Sequence, residues 1–144
     1  MKNTKILNKA INIAVSAHAH QTDKAGQPYV FHLLRVSEKG KTETEKICGL
    51  LHDLVEDTDW TFEKLKNEGF SDEIIDILKC LTKLPFESYP EYINRIVKNP
   101  IAIQVKINDL EDNMDITRLE ELTDKDFIRL MKYHNVYKHL KALV

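Results

Sequence analysis

Glycine, proline and cysteine are all scarce in this 144-residue chain, with four Gly, four Pro and two Cys. So few glycines leave no room for a Gly-rich phosphate loop, and neither a Walker-type nor a dinucleotide fingerprint occurs. Cys48 and Cys80 both sit in apolar helical patterns. That placement reads as buried free thiols in a reducing, cytoplasmic setting, not as a disulfide frame. A net charge of −2 gives no electrostatic reason to expect nucleic acid as a partner. No apolar run is long enough for a membrane span. The start, Met1-Lys2-Asn3-Thr4-Lys5, lacks the apolar core and cleavage site of a secretory signal. Period-two alternation is missing too, which removes strands from the reading.

What is present is helical spacing nearly throughout. Hydrophobic residues make up 42% and charged ones 31%, ordinary for a globular protein. The length and the absence of linkers or repeats predict one all-α domain over residues 1–144. A first helix is expected over 4–20, with Ile6, Ala10, Ile13, Ala14 and Ala17 as its buried stripe. Gly26 and Pro28 mark a turn before a short helix over 29–38. Thr42, with Glu45 three residues on, caps a central helix carrying Ile47, Leu50, Leu51, Leu54 and Val55. Thr61 and Ser71 start two further helices, and a loop containing Pro85, Ser88 and Pro90 leads to another around Tyr92 and Ile96. Asn99-Pro100 opens a helix running to about Met114. Thr123 caps a last one bearing Phe127, Leu130, Met131, Tyr137 and Leu140.

The central helix ends in His52-Asp53 followed one turn later by Glu56-Asp57. Asp53 and Asp57, and likewise His52 and Glu56, are four apart and share a helical face. Acids there oppose the helix dipole, and desolvating four titratable groups is costly unless something holds them. Two other helices carry ligand-type side chains in apolar frames: His32 in Tyr-Val-Phe-His-Leu-Leu and Asp109 in Val-Lys-Ile-Asn-Asp-Leu. Two imidazoles with two carboxylates suit a borderline or hard divalent ion such as Mn²⁺, Fe²⁺ or Zn²⁺. The lack of Cys in the set points away from a closed structural zinc site and toward open positions.

The ordered set Gly26-Gln27-Pro28-Tyr29-Val30-Phe31-His32, Leu50-Leu51-His52-Asp53-Leu54-Val55-Glu56-Asp57-Thr58, Leu81-Thr82-Lys83 and Val105-Lys106-Ile107-Asn108-Asp109, with Asn113 four residues on, resembles the HD-domain phosphohydrolases. Within them it is similar to the (p)ppGpp hydrolase branch of the RelA/SpoT proteins and their metazoan homologue. The resemblance covers about residues 14–114. It implies one metal ion, Mn²⁺ in the family, on His32, His52, Asp53 and Asp109. It implies Glu56 and Asp57 as the catalytic pair that positions and activates water, and Lys24 and Asn113 as substrate contacts. Tyr29 and Lys83 are expected to be packing and surface residues, and His18, His20, His134 and His139 structural or exposed. Two positions depart from the family pattern: Asp23 stands where a base-stacking Arg is usual, and Leu33 where Pro follows the metal histidine. An acid at position 23 cannot stack as a guanidinium does and repels phosphates. The expected activity is therefore that of a metal-dependent phosphohydrolase of a small phosphorylated nucleotide, (p)ppGpp first. The alternatives are the same fold acting on another metabolite (NADPH 2′-phosphate, a nucleoside monophosphate) or a nucleotide-sensing module without turnover. With the sequence ending at Val144, no synthetase region is expected. Neither nucleic acid nor membrane is an expected partner, and the oligomeric state is left open.

Overall fold

The computed structural model describes residues 4–144; Met1-Lys2-Asn3, the start of the segment expected to lack a secretory signal, lies outside the described residues. The described chain is helical: α1 (Thr4–Ala17), α2 (Val30–Lys39), α3 (Glu43–Leu51), α4 (Leu54–Asp57), α5 (Phe62–Asn67), α6 (Asp72–Leu81), α7 (Tyr89–Ile96), α8 (Pro100–Asn113), a 3-10 turn (Ile116–Arg118) and α9 (Asp124–Lys141). Side-chain caps set most of the starts. Thr42, Thr61, Ser71 and Thr123 each accept the backbone N–H three residues on, and Asn99 accepts from Ile101 and Ala102. Among the described residues no helix is long and apolar enough to cross a membrane. Cys48 is a buried free thiol and Cys80 a partly buried one.

Helix α8 forms the axis, packing against α2, α3, α6, α7 and α9. It is buried nearly all round, from Ala102 through Leu110, and its Asn108 and Asp109 are as enclosed as its Ile107. Leu33, Ile47, Leu50, Leu51, Leu54 and Leu110 complete the apolar frame around it. Gly49 sets how closely α2 approaches α3. A Cβ there would lie 3.1 Å from the Cα and N of Ser37, closer than most Cβ contacts, so the Ser37 backbone would have to give way by a few tenths of an ångström. That close crossing brings His32 on α2 next to His52 after α3.

Three local expectations change. The first helix stops at Ala17, and His18–His20 form a turn. The central helix does not run unbroken to Asp57. His52 and Asp53 form a turn between α3 and α4, because the His52 imidazole donates to the Gly49 carbonyl, the acceptor a continuing helix would give to the Asp53 amide. In α9, Phe127 and Met131 face solvent; the buried side is Tyr133, Val136, Tyr137 and Leu140, which pack on the core.

Candidate metal and substrate site

The site begins with a carboxylate that burial alone would make expensive. Asp109 is 4% exposed and sits on α8 between three helices. Its Oδ1 lies 3.0 Å from His32 Nε2 and 3.1 Å from His52 Nε2, and accepts from Asn113 Nδ2 at 3.1 Å. Its Oδ2 takes the Lys106 ammonium at 3.0 Å. Burial would raise the Asp109 carboxyl, but Lys106 and the two imidazoles outweigh it and hold the group well below the usual carboxylate range. Lys106, though desolvated, is kept charged by the same contact.

His32, His52 and Asp109 offer ligand atoms that all lie within 4.8 Å of one another, a buried group that could hold a metal ion. Asp53 stands at its edge. Its Oδ2 is 3.2 Å from His52 Nε2 and also accepts the Tyr29 hydroxyl. Residue chemistry fits an ion here. His52 Nδ1 donates to the Gly49 carbonyl at 2.7 Å, which leaves the Nε2 lone pair turned to the acids. His32 Nδ1 is fixed by Asp112 Oδ2 at 2.6 Å, and its buried Nε2 has no hydrogen-bond partner among the described residues despite the nearby Asp109 oxygen. A buried imidazole nitrogen that faces a carboxylate out of hydrogen-bond alignment suits a metal ligand.

Glu56 and Asp57 follow on α4 and are exposed. Glu56 Oε1 accepts the Lys83 backbone N–H at 2.9 Å. Although Asp57 is exposed overall, partial desolvation of its carboxyl first, then the neighbouring Asp53 and Glu56 carboxylates, push it above its ordinary value. Lys83 is thus more than a surface residue, since its amide anchors Glu56. Tyr29 is more than packing, since its hydroxyl reaches Asp53 while its ring lies between those of His18 and His32, at 5.6 and 5.3 Å.

On the other side of His32 opens a cavity of about 410 Å³. Lys24 and Asn113 line it, as do Arg35, Arg118, Arg129 and Tyr133. Burial and the nearby Arg129 lower the Lys24 pKa. Asp23 also lines the cavity, but its Oδ1 is spent on the amides of Ala25 and Gln27, so this acid shapes the loop it sits in. Lys106 and Asp112 lie in the segment read from the sequence but were given no role there, and Arg35 was not singled out. The available signal was spacing: Arg35 follows His32 by three, and Lys106 and Asp112 flank Asp109 by three, each one turn from a ligand-type residue.

No protein-family model matches the chain. It is 31% identical over 120 residues to a guanosine-3′,5′-bis(diphosphate) 3′-pyrophosphohydrolase of Aquifex aeolicus, covering 75% of this chain and 17% of that protein. It is 30% identical over 125 residues to a GTP pyrophosphokinase of Streptomyces coelicolor, covering 78% of this chain and 15% of that one. The chain therefore spans about a sixth of the length of these curated relatives. Among solved structures, a metazoan ortholog of SpoT that hydrolyses ppGpp superposes with a TM-score of 0.77 at 22% identity, over 92% of this chain and 83% of that one. In sequence along three quarters of its length and in fold along nine tenths, the chain resembles the HD-domain (p)ppGpp hydrolases of the RelA/SpoT kind.

Proposed function

We propose that residues 1–144 form one HD-type hydrolase domain, a cytoplasmic metal-dependent phosphohydrolase that takes pyrophosphate from the 3′ position of (p)ppGpp. The observation that carries this reading is the buried meeting of two imidazoles and a carboxylate, with His32 at the wall of a cavity where Lys24, Arg35, Arg118 and Arg129 stand among Asp23, Asp112 and Asp115. The relatives include a protein named for this hydrolysis and one named for pyrophosphate transfer to GTP. The histidine–carboxylate set favours the hydrolytic member of that pair.

In this reading His32, His52, Asp53 and Asp109 hold one divalent ion, Mn²⁺ by resemblance. When bound, the ion supplies Lewis acidity toward phosphate oxygens and acidifies the attacking water. Asp57, with its raised carboxyl pKa, takes the proton of that water, and Glu56, anchored on the Lys83 amide, orients it. Lys24 meets phosphate oxygens at the cavity, and Asn113 contacts the nucleotide while steadying Asp109. One water is consumed, the 3′ P–O bond breaks, and ppGpp gives GDP and pyrophosphate.

Purified protein incubated with Mn²⁺ and ppGpp tests the proposal. Pyrophosphate and GDP should appear together and chelation should stop them. Failure on ppGpp alongside turnover of another phosphorylated nucleotide would remove the substrate and leave the chemistry. Failure on every phosphate ester, with no Mn²⁺ uptake, would remove the hydrolase reading.

Asp23 supports a second reading, in which the same centre acts on NADPH 2′-phosphate or a nucleoside monophosphate. An acid lines the cavity where a stacking cation is usual, and a panel of these esters separates the two readings by relative kcat/KM.

A further inference from the structure

We infer that Asp112 is a positioning residue that fixes the His32 imidazole for metal binding, and that Arg35 fixes Asp112 in turn. This rests on the reading of His32 as a ligand.

Asp112 lies on α8, one turn beyond Asp109, and is 4% exposed. Its Oδ2 is 2.6 Å from His32 Nδ1. Arg35 grips the same carboxylate side-on, with Nε to Oδ1 at 2.6 Å and Nη2 to Oδ2 at 3.1 Å. Arg118 Nη2 donates to the Asp112 carbonyl at 3.0 Å and stands 3.5 Å from Oδ2. An ionised carboxylate only accepts, so the proton between it and His32 belongs to Nδ1, and Nε2 keeps its lone pair toward Asp109. Both ligand histidines are thus fastened at Nδ1, His52 by a backbone carbonyl and His32 by a side chain. Such outer-shell acceptors fix ring orientation and tautomer.

The planar fork of Arg35 holds both carboxylate oxygens at once, so the carboxylate cannot swivel and the ring cannot follow it. A lysine at position 35 would keep the charge and lose the fork. This gives opposite signs for two accounts of Arg35. If it acted through charge alone, its removal would ease binding of a cation nearby. If it acts through Asp112, its removal weakens that binding.

The test is Mn²⁺ affinity, measured by electron paramagnetic resonance on the full chain, for wild type, H52A, D112N, R35K and R35M. Melting temperatures of the metal-free variants report folding. D112N, R35K and R35M should each bind Mn²⁺ about tenfold or more weakly than wild type. D112N disturbs a buried network and can fail to fold; Arg35 is one-third exposed, so the R35K and R35M pair decides without it. Wild-type affinity in R35K with tighter binding in R35M would overturn the inference alone, provided H52A has lost the ion. Absence of Mn²⁺ uptake by the wild type would overturn this inference and the ligand reading together.

Discussion

Glu56 and Asp57 are neighbours in sequence and unlike in setting. Glu56 is tethered by the Lys83 amide, whereas the Asp57 carboxyl is raised by burial and by the carboxylates of Asp53 and Glu56. The roles proposed above follow from that difference. Asp57→Asn should lower kcat for pyrophosphate release by roughly 10²–10⁴, the range for loss of a general base. Glu56→Gln should cost less, and both variants should bind Mn²⁺ within a few-fold of wild type. Rapid-quench turnover and Mn²⁺ titration check the pair; equal kcat in D57N and wild type would reassign the base. At this scale the sequence was readable where a residue was out of keeping with its surroundings. His32, His52 and Asp109 stand out because each interrupts an apolar helical frame, and they converge in the structure. Asp112 and Arg35 do not stand out, since their partnership joins positions 77 apart and each alone reads as an ordinary charged residue on a helix.

Helix starts were legible because capping is local chemistry, written within four residues. Ser88 is the instructive omission. It caps α7 with a full capping box through Glu91, yet Pro90 beside it reads as loop until one allows proline in the first turn. The contact of α2 with α3 was not legible, because nothing near Gly49 in the chain announces the Ser37 backbone against it. Gly49→Ala should cost about 1–3 kcal/mol by overpacking that crossing, measured by urea unfolding, and should weaken Mn²⁺ binding by separating the two histidines. A second element-level device is the clamp around Arg95. Its guanidinium donates to the carbonyls of Lys79 and Thr82 and to both oxygens of Glu87, binding the end of α6 and the following loop to α7. That loop carries the Lys83 amide which anchors Glu56. The Arg95 hydrogen bonds hold the Glu87 carboxyl down at about 2. A carboxyl lowered on folding stabilises the protein above its unfolded pKa, about 4.3 for a glutamate. The contribution is lost as pH falls from there through 2. Arg95→Met should therefore melt below wild type at pH 7, with the gap narrowing between pH 4.5 and 2. A gap that stays constant across that window would show that the clamp acts without the Glu87 charge.

For the molecule as a whole, α8 matters more than the His-Asp helix that first draws the eye. It touches five other helices and brings the second half of the chain to the first. Ile107 and Leu110 on this axis are fully buried. Truncating Ile107 to Ala should cost about 2–5 kcal/mol in chemical denaturation, enough to threaten a domain of ordinary stability. The His52–Asp109 contact spans 57 residues of chain and closes only when α8 has docked. An ion seated across it would act as a late latch, with no purchase on the unfolded chain or on the early steps of collapse. At a concentration one hundred times its dissociation constant it would add about 2.7 kcal/mol. Nearly all of this should fall on the exit rate. Stopped-flow experiments with and without Mn²⁺ should find unfolding slowed about a hundredfold and refolding unchanged; a refolding rate that rises with Mn²⁺ would mean the three helices meet before the barrier is crossed.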